Sequence, residues 1–126
     1  MQDFLEKKDI IAVIGVSRNS SKYGYKVFFD LLKNGYDAYA IHPKKGLVGK
    51  YIRYARISDL PKRPTLVVMT VKPEVVEKIL EECKNIGVKK VWLQPGSESQ
   101  SALDFCHQNK IEVVAKACII LKSKMN

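Results

Sequence analysis

The chain has 126 residues, 46% of them hydrophobic, which is about the amount that one domain needs to bury a core. Its 22 Lys and Arg outnumber its 13 Asp and Glu, and the net charge of +9 favours anionic partners. No apolar run approaches the roughly 18 residues of a membrane helix, and the charged first residues do not fit a signal peptide. We therefore expect one domain over residues 1–126, in a soluble cytoplasmic protein with no membrane partner.

Two other classes of partner are disfavoured. The basic residues are scattered, with neither a Lys/Arg block nor a basic motif interleaved with aromatic rings, so we expect no nucleic-acid partner. Neither His42 nor His107 has a ligand neighbour at metal spacing, so we expect no metal site. The cysteines Cys83, Cys106 and Cys118 form no C-x-x-C pair, which indicates reduced thiols. Cys83 and Cys106 fall on apolar helix faces and are expected to be buried hydrophobic residues.

Apolar runs and helical patterns alternate along the first half of the chain. The continuous, β-branched run Ile10–Val16 predicts a strand covered on both faces. Gly24–Asn34 has apolar residues at helical spacing and predicts a helix that Gly35 ends. Tyr36–Ile41 predicts a second strand. The segment His42–Ile57, with two glycines and several basic residues, predicts a functional loop or a loop with one short irregular strand.

The second half continues the alternation. Three further strands and a short tail element are predicted at Leu66–Val71, Lys89–Leu93, Ile111–Ala115 and Ile119–Leu121. A second helix is predicted from Pro73, a favoured first position, to Gly87. Ser97 and Gln100 have capping-box spacing and predict a third helix to about Asn109. Strands that alternate with helices predict an α/β, doubly wound fold, with a five-stranded parallel sheet and helices on both faces.

The segment from Gly15 to Gly24 has the composition of a phosphate-binding loop. A strand end is followed by small polar residues, including Ser17 and Ser21, and then by a helix N-terminus that favours anions. Lys22 adds a full positive charge. The loop is not G-x-G-x-x-G, which argues against an ordinary redox dinucleotide site. An ordinary loop with an Asn/Ser-rich turn is the alternative.

The residues after the second strand indicate which nucleotide is bound. An NAD site usually has a carboxylate there, which binds the ribose 2′-hydroxyl. This chain instead has His42, Pro43 and Lys44, and no carboxylate occurs between Asp37 and Asp59. A basic turn favours a ribose phosphate, either the 2′-phosphate of NADP or the 3′-phosphate of coenzyme A. A solvated basic turn without a ligand is the alternative.

Four stretches resemble a known family: IAVIGVSRNSSKYGYKV, NGYDAYAIHPKKGLVGK, ISDLPKRPTLVVMTVKPEVVEKILEECKNIGVKKVWLQPG and IEVVAKACI. They are similar to the small stand-alone coenzyme A-binding proteins, which resemble the CoA-binding domain of succinyl-CoA ligase. The most specific part is VWLQPG. Three positions depart from the family pattern: His42 replaces an Asn, Pro64-Thr65 an Asp, and Lys116-Ala117 a polar-Arg pair.

The resemblance implies a Rossmann-like fold that binds coenzyme A or an acyl-CoA at one edge of the sheet. The implied cofactor-binding residues are Gly15, Val16, Ser17, Ser21, Lys22, Tyr23 and Gly24 in the first loop, His42, Pro43 and Lys44 after the second strand, Val71 and Pro73 after the third, and Gln94, Pro95 and Gly96 after the fourth. Gly15, Val16 and Ser17 would wrap the pyrophosphate together with Lys22, and Gly24 would start the phosphate-facing helix. The second group would lie by the adenosine and its 3′-phosphate. The third would pack against the adenine or pantetheine, and the fourth would lie near the pantetheine end.

No catalytic constellation is apparent in the sequence. Succinyl-CoA ligase chemistry needs a phosphorylated histidine from a second domain, for which we expect no room in this chain. His107 is a helical neighbour of Asp104 and is expected to be structural. Cys118 is the one candidate reactive thiol, and an inert packed cysteine is the alternative. We therefore expect a non-catalytic CoA-binding module. An NADP-binding oxidoreductase or sensor, an accessory subunit that completes an acyl-CoA ligase in trans, and a homodimer are left open.

Overall fold

A computed structural model describes residues 4–120, which form an α/β fold around one seven-stranded sheet. Strands β1 to β7 span Ile10–Ile14, Asp37–Ile41, Gly46–Val48, Tyr51–Tyr54, Leu66–Met69, Lys90–Leu93 and Glu112–Ala115. Helices α1 to α3 span Tyr23–Lys33, Pro73–Ile86 and Gln100–Gln108, and a short 3₁₀ turn spans Ile57–Asp59. Within these residues, no helix is both long and apolar enough to cross a membrane, and no group of three or more side chains is suited to hold a metal ion.

The strand order is β3-β4-β2-β1-β5-β6-β7, and every neighbouring pair is parallel except β3 and β4. The predicted fold class is confirmed, but the predicted number of strands is wrong. The additional strands β3 and β4 form a hairpin inside the segment predicted as a loop or as a loop with one short irregular strand, and β4 pairs with β2. Each has only three or four residues, which is too short for a clear alternation of buried and exposed positions.

Apolar cores lie on both faces of the sheet. Helix α1 contributes Val27, Phe28 and Leu31 to one core. Helices α2 and α3 contribute to the other, for example through Leu80 and Ala102. Burying a Val, Leu or Phe side chain stabilises a fold by about 1.5–3 kcal/mol, so the two cores hold the helices firmly on the sheet.

The connections make β1 the centre of the sheet. From β1 the chain moves through α1 to β2 on one side, and after the hairpin it returns to form β5 on the other side. The loops that follow β1 and β5 therefore diverge to opposite faces. In doubly wound sheets this point, at the carboxyl ends of the strands, is where a ligand-binding crevice forms.

The ends of α2 agree with the prediction, α1 begins and ends one residue earlier than predicted, and the cap of α3 differs. Pro73 is the first residue of α2, and Gly87 ends this helix with a φ of +82°. Helix α3 is capped by Ser99, whose Oγ accepts a hydrogen bond from the Ala102 N–H at 3.1 Å. The predicted cap Ser97 is wrong, since it is buried and its Oγ donates to the Met69 carbonyl at 3.2 Å. Part of the predicted tail element, from residue 121 onward, lies outside the described residues.

Candidate functional site

The end of β1, the start of α1 and the end of β5 meet at backbone-contact distance. A Cβ atom on Gly15 would lie 2.7 Å from both Thr70 Oγ1 and Val71 Cγ1. A Cβ atom on Gly24 would overlap the Gly15 carbonyl. Thr70 Oγ1 donates to the Ile14 carbonyl at 2.6 Å and fixes this approach. Only glycine at positions 15 and 24 therefore allows the helix to start this close to the sheet.

The loop between the two glycines is stabilised by its own side chains. Asn19 Oδ1 accepts hydrogen bonds from the Ser21 N–H at 2.9 Å and the Ser21 hydroxyl at 2.7 Å. Ser17 Oγ accepts from the Asn19 N–H at 3.0 Å. The loop is exposed from residue 18 onward, and Lys22, its last residue, extends into solvent. The backbone is thus held in one shape while the Lys22 charge stays accessible.

Two of the predicted phosphate donors already have a partner. The N–H groups of Gly15 and Val16 both donate to the Ile41 carbonyl, at 2.9 and 3.1 Å. The N–H groups of Ser17 and Arg18 have no hydrogen-bond partner within residues 4–120. The donors available to a ligand therefore begin at Ser17, two residues later in the loop than the sequence predicts.

Helix α1 presents an open N-terminus at this edge. Its N-cap, Lys22, makes no side-chain capping bond, and its first turn, Tyr23 to Lys26, has no acidic residue. Helix α2 begins at the half-buried Pro73 after Lys72, which also makes no side-chain capping bond, but the first turn of this helix contains the acidic Glu74. Uncapped N–H groups and the helix dipole give such ends a partial positive charge, which an anion can satisfy.

The turn after β2 folds back on itself around His42. The Lys44 N–H donates to His42 Nδ1 at 3.0 Å, and the His42 N–H donates to the Tyr54 carbonyl at 2.8 Å. Burial, followed by the charges of Arg53, Lys44 and Arg18, lowers the pKa of His42 below its ordinary value. The ring is therefore neutral near pH 7, with its proton on Nε2. Pro43 and Lys44 are exposed beside it.

Two arginines extend this basic turn, and sequence reasoning missed both. Arg53 on β4 is only 4% exposed and bonds the carbonyls of Val16 and Lys44. Arg18 Nε donates to the Leu47 carbonyl at 2.8 Å. The signal available in the sequence was the cluster of basic residues between positions 42 and 57. It gave no indication of which one points inward, because the hairpin that turns Arg53 toward the sheet was not recognised.

A groove of about 410 Å³ continues along the edge from the first loop, past Tyr23, Val71, Pro95 and Gly96. Tyr23 is 38% exposed, and its hydroxyl donates to Cys118 Sγ at 2.9 Å. Burial and then this hydrogen bond raise the pKa of Tyr23 to about 12. The turn after β7 thus contacts Tyr23 at one side of the groove, and the groove itself brings together Tyr23 of α1 with residues that follow β5 and β6.

Gln94 lies beneath the groove and does not line it. Its side chain is fully buried, with Oε1 accepting from the Ile119 N–H at 2.8 Å and Nε2 donating to Cys118 Sγ at 3.6 Å. Trp92 Nε1 donates to the Ala117 carbonyl at 2.9 Å. These contacts position the turn that carries Cys118, the residue that the Tyr23 hydroxyl contacts.

The other two cysteines belong to the core, as predicted. Cys83 and Cys106 are buried between α2, α3 and the sheet. Burial raises the pKa of Cys83 to about 12 and that of Cys106 to about 11, so both thiols are protonated at neutral pH. His107 is exposed near Lys110, at the amino edge of the sheet, away from the groove.

A larger cavity, of about 860 Å³, also lies at the amino edge. Its buried carboxylate, Asp9, is paired with Lys90 at 2.7 Å and accepts further hydrogen bonds from Thr65 at 2.7 Å and the Glu6 N–H at 2.9 Å. The polar groups around Asp9 therefore satisfy one another, which is typical of a structural ion pair. Within the described residues, the open N–H groups of Ser17 and Arg18 lie instead at the opposite, carboxyl edge.

Comparison with known proteins identifies a family and longer relatives. A family model described as a CoA binding domain matches residues 9–124. The ADP-forming acetate–CoA ligase of Methanocaldococcus jannaschii is 31% identical over 106 residues, which are 84% of this chain and 15% of that protein. Subunit alpha of the ADP-forming acetate–CoA ligase I of Pyrococcus furiosus is 32% identical over 87 residues, 64% of this chain and 19% of that subunit.

The chain spans only 12% to 28% of the length of the curated relatives that it matches. A solved structure of similar size also matches. It is a conserved hypothetical protein from Pyrococcus furiosus, with a TM-score of 0.85 and 31% identity, and the match covers 90% of this chain and 98% of that one. Sequences similar to this chain therefore occur both as a small separate protein and within much longer ligases.

Proposed function

Because this chain belongs to the CoA binding domain family, we propose that it binds coenzyme A or an acyl-CoA along the carboxyl edge of its sheet without catalysing a reaction of its own. The family match over residues 9–124 carries this proposal. The open, cationic edge supports it, since coenzyme A is a polyanion with a long, narrow pantetheine arm. The diphosphate would meet the N-terminus of α1 and Lys22.

The remaining parts of the ligand would follow the loops in order. The adenosine and its 3′-phosphate would lie by His42, Pro43 and Lys44. Val71 and Pro73 would pack against the adenine or the pantetheine. The pantetheine arm would enter the 410 Å³ groove beside Pro95 and Gly96 and run toward Cys118. Gly15, Val16, Ser21 and Gly24 would shape the first loop, Tyr23 would line the groove, and Gln94 would hold the turn at its end.

A second candidate is an accessory role beside ligase subunits encoded separately. The observation that favours it is the match to proteins named as subunit alpha of ADP-forming acetate–CoA ligases, of which this chain covers 19% and 28%. In this role the chain would bind the same ligand and present it to a partner subunit. An NADP-binding oxidoreductase or sensor would use the same basic turn. Tighter binding of NADP than of CoA would favour it.

Two charge substitutions test the proposed site. Lys22→Ala and Lys44→Glu should each weaken CoA binding about tenfold or more, because a charge-assisted contact contributes roughly 1.5–3 kcal/mol. Isothermal titration calorimetry measures the affinity, and a thermal melt shows that each variant is folded. The matched controls Lys84→Ala and Lys84→Glu alter an exposed lysine near the C-terminal end of α2 and should leave affinity unchanged. Wild-type affinity in both edge variants would mean that these loops do not hold the ligand.

A further inference from the structure

Arg53 carries a buried positive charge at the junction of two edge turns. Its Nη1 donates to the Val16 carbonyl at 3.1 Å, and its Nη2 donates to the Lys44 carbonyl. One of these carbonyls follows β1 and the other follows β2, so a single guanidinium joins the two turns. Burying a charge is costly unless hydrogen bonds and an opposite charge compensate it.

No opposite charge compensates Arg53 within residues 4–120. The ion pairs there are Lys8–Glu6, Lys62–Asp37 and Lys90–Asp9. The buried Nε of Arg53 has no hydrogen-bond partner. Burial and then the nearby Arg18 lower the pKa of the Arg53 guanidinium, and both arginines contribute to the lowered pKa of His42. The field at this junction is therefore positive and is not neutralised by the described residues.

Arg53 also fixes the direction of two peptide groups. In a trans peptide the carbonyl and the following N–H point in opposite directions. Because the carbonyl of Val16 is turned inward onto Arg53, the N–H of Ser17 faces away from it. The same holds for the carbonyl of Lys44 and the N–H of Lys45. Two backbone donors from different turns are thus presented on the outer side of the junction.

Arg18 lies over the same junction. Its Nε is held by the Leu47 carbonyl at 2.8 Å, and its Nη2 is so close to Gly46 that a Cβ atom there would overlap it. Because Gly46 has no side chain, the Arg18 guanidinium can pack directly against its backbone. Its contacts within the described residues include no carboxylate.

We propose that this junction is a subsite for a phosphate monoester dianion, in which Arg18 contacts the phosphate and Arg53 positions the two peptide donors beneath it. The proposal rests on the proposed function, and it assigns the 3′-phosphate of the ligand to this subsite. A monoester carries roughly −1.5 to −2 charges at pH 7, more than each phosphate of a diphosphate bridge, and it therefore gains more from a positive field that no carboxylate of the described residues neutralises. Arg53 is a positioning residue, since it acts through the peptide groups of Ser17 and Lys45.

The test compares CoA with dephospho-CoA, which lacks only the monoester. Isothermal titration calorimetry gives both affinities for the wild type, Arg18→Gln, Arg53→Met and the control Arg56→Gln, which alters an exposed arginine just after the hairpin. Arg18→Gln should lower CoA affinity about tenfold and dephospho-CoA affinity less than threefold. Arg53→Met should reduce the ratio of the CoA affinity to the dephospho-CoA affinity. Arg56→Gln should retain the wild-type preference for CoA.

The outcomes separate this inference from the proposed function. If the wild type does not bind CoA, the proposed function fails and the subsite fails with it. If the wild type prefers CoA and both arginine variants keep that preference, the subsite alone is contradicted. An equal fall in both affinities in Arg53→Met would show a merely structural role and would also contradict it. If Arg53→Met does not fold, the affinity ratio of the exposed variant Arg18→Gln decides.

Discussion

Gly15 and Gly96 share a φ of +96°, yet only Gly15 is crowded. An alanine at either position is strained by the backbone angle, at a cost of roughly 1–3 kcal/mol. At Gly15 the added Cβ would also press on Thr70 and Val71, which should cost roughly 1–3 kcal/mol more. At Gly96 nothing lies within 4 Å of the added atom. Urea unfolding of ligand-free Gly15→Ala and Gly96→Ala measures the difference, and equal losses of stability would contradict the close approach of β1 and β5.

His42 should titrate below its ordinary pKa of about 6.5 in the ligand-free protein. Burial and the cations Arg53, Lys44 and Arg18 favour the neutral ring. Below pH 6.5 His42 becomes protonated in the unfolded chain more readily than in the folded chain. Its contribution to the free energy of unfolding therefore falls as the pH is lowered.

The titration of His42 can be followed by its imidazole resonance in NMR, because the chain has two histidines and His107→Gln assigns the signal. Bound CoA should raise the pKa of His42, since a phosphate dianion offsets the nearby cations. Titration at or above 6.5 without ligand would show that the ring is not surrounded by cations as described.

The chemical character of the site residues could be predicted from the sequence, but their directions could not. The spacing of Gly15, Lys22 and Gly24 indicated a phosphate loop, and the basic turn at Lys44 indicated a phosphorylated ribose. Gln94 was placed with the ligand-facing residues, whereas the structure buries it under a turn. Composition shows that a residue is polar, but only the tertiary packing determines whether it faces a ligand or a neighbouring segment.

At the scale of the elements, the cap of α3 offers a direct test. Ser99→Ala removes the hydrogen bond to the Ala102 N–H and should destabilise the protein by about 1 kcal/mol. Ser101→Ala, at an exposed position within the same helix, should be neutral or slightly stabilising, because alanine favours helix. Thermal or urea unfolding compares the two variants. A larger loss in Ser101→Ala than in Ser99→Ala would contradict the assigned cap.

Long buried elements were predictable, and short ones were not. Strand β1 and its parallel neighbour β5 read as continuous apolar runs because helices cover both their faces. The hairpin strand β4 has a single buried residue, and it is the charged Arg53, so its sequence resembles a basic loop. The hairpin forms because β2 offers an unpaired edge to β4, which is a tertiary condition that no local pattern expresses.

At the scale of the whole molecule, part of the excess positive charge is concentrated at the carboxyl edge of the sheet. The net charge is +9, and much of the chain's basic surface is ordinary solvated lysine. The carboxyl edge differs, since Arg18, His42, Lys44 and Arg53 lie together there and the N-terminus of α1, which has no acidic residue in its first turn, adds to the positive field. A polyanionic ligand with a narrow arm fits this edge and the adjoining groove.

The most direct test of CoA binding is a calorimetric titration of the intact chain with CoA, dephospho-CoA and NADP under identical salt conditions. We expect CoA to bind and dephospho-CoA to bind with an affinity lower by about tenfold or more. We expect NADP to bind more weakly than CoA. No CoA binding at millimolar concentration would contradict the proposed function. Equal affinity for dephospho-CoA would contradict recognition of the 3′-phosphate, and tighter binding of NADP would identify a different nucleotide as the ligand.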